Sequence, residues 1–130
     1  MLPFDLEDWL ANEGDKTVHK IADLGFSNIN VRERVLYEVW LFDTERRNGG
    51  VSQYFCNRGR NQWASLCELA KILLPSFETF AIKVNHIIAH SADAYHAIIE
   101  SEIDLDAQYD ECRVQLITAL RLATTGTESS

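Results

Sequence analysis

The chain has 130 residues, 46% of them hydrophobic and 13 aromatic, which supplies one buried core and is too little for two. Twenty acidic residues against twelve basic ones leave a net charge of −8. That balance argues against a general nucleic-acid binder, because phosphate contacts require a basic face.

No stretch approaches the roughly 18 apolar residues of a membrane helix, and the N-terminus lacks the basic region of a secretory signal. The three cysteines, Cys56, Cys67 and Cys112, form no CxxC pair and suit reduced thiols. A cytoplasmic location is expected. With two prolines, six glycines and no alternating β-branched run, the chain reads as all-α. The expectation is a compact bundle of about six to eight helices over residues 1–123, followed by a polar tail over 124–130.

In chain order, Asp5 to Ala11 is expected as a short first helix behind Pro3, and Asp15 to Leu24 as a second, stopped by Gly25. Asn28 or Asn30 then caps the next. From Val31 to Arg47, the residues Val31, Val35, Leu36, Tyr37, Val39, Trp40, Leu41 and Phe42 point in nearly every direction around a helix axis. Such a helix belongs in the middle of a bundle. Its one polar stripe is Arg34, Glu38 and Glu45, and Arg34 and Glu38 have the i,i+4 spacing of an ion pair. An internal pair or a solvated edge explains that stripe more simply than a catalytic carboxylate does.

Asn48-Gly49-Gly50 ends this helix, and Val51 to Phe55 restarts as a short one, broken again around Asn57 to Gly59. Gln62 to Leu74 follows with Trp63, Leu66, Cys67, Ala70 and Leu74 on one face, and Pro75 opens the next helix. Within Ser76 to His90, Phe77, Phe80, Ala81, Val84, Ile87 and Ile88 form an apolar stripe opposite Lys83, His86 and His90. A shorter helix covers Ala94 to Ile99. The last, Asp106 to Ala123, buries Tyr109, Cys112, Leu116, Ala119 and Leu120.

The segment from Glu45 to Asn57 resembles the signature of a bacterial family named after a DNA-mimic protein, roughly Glu-x-x-Asn-Gly-Gly-Phe-x-Gln-Tyr-Phe-x-Asn. Glu45, Asn48, Gly49, Gly50, Gln53, Tyr54, Phe55 and Asn57 match, and Val51 replaces the phenylalanine. A second likeness is Leu105-Asp106 followed by Tyr109. The resemblance implies an acidic helical protein that imitates the charge of duplex DNA and occupies a transcription factor in its place. The motif itself reads as structural: the glycines allow a sharp joint, Asn48 and Gln53 satisfy backbone groups freed there, and Tyr54 and Phe55 fill the core. The alternative is a pocket lined by Glu45, Asn48, Gln53 and Tyr54.

Charge is unevenly spread: −4 over residues 1–31, +2 over 32–83 and −6 over 84–130. No lysine or arginine lies between Val84 and Cys112, where Asp93, Glu100, Glu102, Asp104, Asp106, Asp110 and Glu111 supply seven carboxylates. Carboxylates at i,i+4 lie about 5–6 Å apart at Cβ, a phosphate-like spacing along one row. Asp5, Glu7, Asp8, Glu13 and Asp15 furnish a second row if the first helix packs beside the last; a homodimer is the other route. The simpler reading is that these acids cap helix N-termini, with Asp104 or Asp106 capping the last helix.

His86 and His90 share one helix face, with Asp93 and His96 near in sequence, but HExxH is absent and exposed histidines suffice. No nucleophile, P-loop or dinucleotide motif appears, so neither an enzyme nor a metal or other cofactor is expected. The leading expectation is a decoy or inhibitor occupying the nucleic-acid-binding surface of a partner protein. A transcription regulator or a defence nuclease, in the manner of an anti-CRISPR protein, would be such a partner. The alternative is an immunity or antitoxin-type protein; a small-ligand site at the Glu45–Tyr54 joint is the third.

Overall fold

A computed structural model describes residues 4–73 and 77–125. Six α-helices order these residues, with no strand among them: α1 (Phe4–Leu24), α2 (Val31–Asn57), α3 (Gly59–Leu73), α4 (Glu78–Ile88), α5 (Ala94–Ile99) and α6 (Glu102–Thr125). A 3₁₀ turn over Phe26–Asn28 joins α1 to α2. The chain is therefore all-α. Among the described residues no helix is long and apolar enough to cross a membrane.

The central position of α2 follows from its sequence. Helices α1, α3, α5 and α6 all pack on it, as a helix apolar around most of its circumference requires. Its Phe42 is the hub. Ring centroids of Tyr54, Trp63, Phe77, Phe80 and Tyr109 lie between 4.8 and 6.2 Å from it, within the range of favourable edge-on and tilted packing. Trp63 adds a polar tie: its Nε1 donates to Asn85 Oδ1 at 2.7 Å, fastening α3 to α4.

Several boundaries differ from expectation for identifiable reasons. The two helices expected before Gly25 are one, which runs unbroken through Gly14. That glycine is buried in the middle of α1, and a Cβ there would lie 2.2 Å from the Trp40 ring. The gap left by the missing side chain seats the indole, at a propensity cost of about 1 kcal/mol. Gly25, with φ of 89°, does end α1. Asn30 caps α2, and Glu33 reciprocates by accepting from the Asn30 N–H at 2.9 Å, a capping box. At Gly49–Gly50 the backbone leaves helical geometry, as expected, so α2 consists of two helical arms, 31–48 and 51–57, meeting at a kink.

Helix α3 begins at Gly59 rather than Gln62, and α4 is shorter at both ends than expected. The apolar positions of α4 hold: Phe77, Phe80, Ala81, Val84 and Ile88 are buried. The expected roles of Leu74, Pro75 and Ser76 lie outside the described residues, as do residues 126–130. Thr124 is not tail; its hydroxyl bonds the Leu120 carbonyl at 2.9 Å inside α6. That helix also starts four residues early, at Glu102.

The apolar core carries one internal ion pair. Arg113 grips Asp43 with two bonds, Nε to Oδ1 at 2.7 Å and Nη2 to Oδ2 at 2.9 Å, and the Tyr109 hydroxyl donates to Oδ1 at 2.7 Å. Asp43 is 1% exposed and Tyr109 is fully buried. The remaining Arg113 nitrogen reaches Glu7 of α1 at 3.2 Å, so one guanidinium joins α1, α2 and α6. Burial disfavours the charged arginine, but the bonds to Asp43 outweigh it and raise the Arg113 pKa further. An Asp43→Ala change leaves the buried Arg113 with Glu7 alone and the Tyr109 hydroxyl without its acceptor, and is expected to cost about 3–5 kcal/mol in urea denaturation. An Asp43→Leu/Tyr109→Phe/Arg113→Met triple variant, which removes all three bonded groups, should recover most of that; a single-variant loss below about 1 kcal/mol would contradict the role given to the pair.

Candidate functional site

The Glu45–Asn57 segment forms the bend in α2, and each of its unusual residues has a local physical cause. A bend frees backbone N–H groups at the start of the second arm. Two carboxylates from α6 take them: Val51 N–H donates to Asp106 Oδ1 at 3.2 Å, and Ser52 N–H to Glu102 Oε2 at 2.6 Å. Gly50 has φ of 85°, and a Cβ on it would lie 2.6 Å from the Glu102 carboxyl carbon. Left-handed backbone and an apposed carboxylate both call for glycine. Burial raises the Asp106 pKa, with Glu102 and Asp110 adding to the effect and the Val51 N–H and Arg46 opposing it.

The other side of the bend is a clasp around Glu45, which is 8% exposed. Gln53 Nε2 and Asn57 Nδ2 donate to Oε1 at 2.9 and 3.1 Å, and Arg58 Nε donates to Oε2 at 3.1 Å. Burial alone would push the Glu45 pKa up; these donors outweigh it and hold the pKa below the ordinary glutamate range. Gln53 therefore serves Glu45 rather than backbone groups, and Gly49 makes room for it, since a Cβ there would collide with the Gln53 amide. Asn48 is exposed, whereas Tyr54 and Phe55 are buried in the core.

The acids expected to form one surface divide into two kinds. Glu102 and Asp106 face inward onto the bend of α2, so neither belongs to an outward row, and Asp106 does not cap α6. Asp104, also expected as a possible cap, reaches Lys83 of α4 at 2.5 Å and stays 62% exposed. Asp110 meets Arg46 at 2.8 Å, whose guanidinium stacks 4.8 Å from the Tyr109 ring. Asp93 caps α5 and contacts His96 Nδ1 at 2.6 Å.

Helix α1 does pack on α6, the arrangement on which a second acidic row depended. The contact is made through charge: Glu7 to Arg113 at 3.2 Å and Asp5 to Arg121 at 3.7 Å. Asp8, Glu100 and Glu111 are exposed, and no ion pair reaches them among the described residues. Between α4 and α6 runs a groove of about 620 Å³ edged by Lys83, Asp104 and Glu111.

His86 and His90 lie with ring centroids 5.3 Å apart, edge to face. Asp93 is turned to His96, and no group of three or more metal-ligating side chains gathers among the described residues. Sequence reading missed Arg113. Its signal was its place: Tyr109, Arg113, Leu116 and Leu120 share the spacing of one buried stripe, where an arginine implies a partner inside.

The family described as DMP19-like protein matches residues 27–123, a span that holds the bend, the clasp and the acidic flank. No curated protein and no solved structure matches the chain significantly.

Two variants test the bend. Gly50→Ala should destabilise the protein by about 2–4 kcal/mol in urea denaturation, because left-handed strain and displacement of Glu102 add. Gly59→Ala, at φ of 79° with nothing near its Cβ, should cost only the strain, about 1–2 kcal/mol. Equal losses would show that Glu102 does not confine Gly50. The lowered Glu45 pKa means stability that is present above the ordinary glutamate value of about 4.3 and lost as pH falls through the lower folded value. Glu45→Gln should thus be less stable than wild type at pH 7, with the gap narrowing at pH 3; a gap independent of pH would refute the charged clasp.

Proposed function

Because the chain belongs to the DMP19-like protein family, we propose that it acts as an acidic decoy, occupying the nucleic-acid-binding surface of another protein in place of DNA. The observation that carries this reading is the outward face of α5 and the first half of α6. Asp93, Glu100, Asp104, Asp110 and Glu111 are exposed there, with no lysine or arginine between Val84 and Cys112. A partner whose site is built for phosphates presents lysines and arginines, and opposite charge steers it into place. Asp8 of α1, beside α6, adds to the same sign of field.

The inward acids separate this reading from simple acidity. Glu102 and Asp106 hold the bend of α2, so they contribute to folding; the recognition surface consists of Glu100, Asp104 and Glu111 with Asp8 and Asp110 at its margins. The partner is then a DNA-binding regulator or nuclease, and bound protein should be released by duplex DNA.

The test is a Glu100→Lys/Asp104→Lys/Glu111→Lys triple variant, which leaves Glu102 and Asp106 intact. Partners retained by the immobilised wild-type protein and eluted by duplex DNA should bind the variant at least about tenfold more weakly at low salt, with a shallower salt dependence. Retention that duplex DNA does not disturb, or equal binding by the variant, would overturn the proposal and point to a tailored protein interface of the immunity type.

A further inference from the structure

The polar stripe at the start of α2 takes no part in the acidic flank, and among the described residues it holds buried polar groups short of partners. Glu38 is 2% exposed, yet one neutral donor serves it: Gln62 Nε2 lies 2.7 Å from each of its oxygens. A carboxylate accepts about four hydrogen bonds. Burial raises its pKa, with Gln62 and Arg58 working against that rise.

Arg34, at the i,i+4 spacing that favours an ion pair, does not supply the missing bonds. Its guanidinium lies 5.2 Å from the Phe26 ring centroid, and its Nε is buried without an acceptor. The hydroxyl of Tyr54, which is fully buried and feels the Glu38 charge, also lacks a partner. A cavity of about 380 Å³ opens between α2 and α3, and both Arg34 and Glu38 line it. Phe26, Ala64 and Leu69 give it an apolar wall, and Glu68 a second negative charge. Among the described residues this is a buried acceptor short of donors beside a buried donor short of an acceptor, at a cavity sized for a small molecule.

We propose that this cavity binds a free α-amino acid with an apolar side chain, its ammonium on Glu38 and its carboxylate on Arg34. Residues at i,i+4 stand about 5–6 Å apart at Cβ, so both charged heads border the same cavity and can converge on one small zwitterion. The ligand's donors complete Glu38, and its carboxylate oxygens meet the Arg34 N–H groups as charge-assisted bonds. Its side chain lies against Phe26, Ala64 and Leu69, where burial of apolar surface adds to the binding.

Titration calorimetry of the full chain with L-leucine and L-phenylalanine tests this directly. At least one should bind saturably. The matched analogues isoamylamine and 4-methylpentanoate, each lacking one charged end, should bind more weakly by at least about tenfold. Glu38→Gln retains the shape and the Gln62 contact and should lose binding by a similar factor. Ser65→Leu narrows the same cavity from an exposed position on α3 and should also abolish binding, so the test stands even if Glu38→Gln fails to fold. No saturable heat with either amino acid, isoamylamine binding as well as leucine, or unchanged affinity in Ser65→Leu would overturn the proposal.

Discussion

A helix interrupted inside a protein exposes backbone N–H groups that must find acceptors, and this requirement organises much of the molecule. The two arms of α2 meet at a kink at Gly49–Gly50, and Phe42 before it and Tyr54 after it belong to the same aromatic cluster. The second arm is capped from another helix. Glu102 and Asp106, one turn apart on α6, deliver carboxylates to the Val51 and Ser52 N–H groups. Placing them there fixes the start of α6, which lies four residues ahead of where apolar spacing alone would put it. Glu45 does the complementary task on the other side, gathering Gln53, Asn57 and Arg58 into one cluster.

The net charge of −8 is thus not a uniform property of the surface. Asp43 and Glu45 are buried and bonded, Glu102 and Asp106 are turned toward a helix N-terminus, and Glu7 completes the Arg113 bridge. Arginines occupy the joints between helices: Arg113 between α1, α2 and α6, Arg46 between α2 and α6. The planar guanidinium suits that position because it bonds carboxylates in pairs while stacking on rings such as Tyr109. The outward acids lie on α1, α3 and α4 as well as along α5 and α6, and the last group stands apart in having no lysine or arginine between Val84 and Cys112.

Fold class and the central place of α2 were legible because apolar residues around a whole helix leave no alternative to burial. The α4 stripe and the Gly25 stop were legible for equally local reasons. The role of Gly14 as the seat for Trp40 was not legible, since nothing along the chain shows which helix a glycine contacts. The roles of Glu102 and Asp106 were hidden for the same reason: their partners lie about fifty residues away along the chain. Arg34 and Glu38 illustrate the reverse error. Their spacing suggested a pair, and tertiary packing gave each a different neighbour, Phe26 for one and Gln62 for the other.

The division of acids into inward and outward kinds also bears on transplantation. If the proposed recognition face of α5 and α6 were grafted onto an unrelated helical scaffold, the exposed Glu100, Asp104 and Glu111 would travel with their chemistry intact. Glu102 and Asp106 would not, for without a bent neighbour offering free N–H groups they become surplus charges in the first turns of a helix. A designer copying the sequence of this flank would import two residues whose purpose had been left behind.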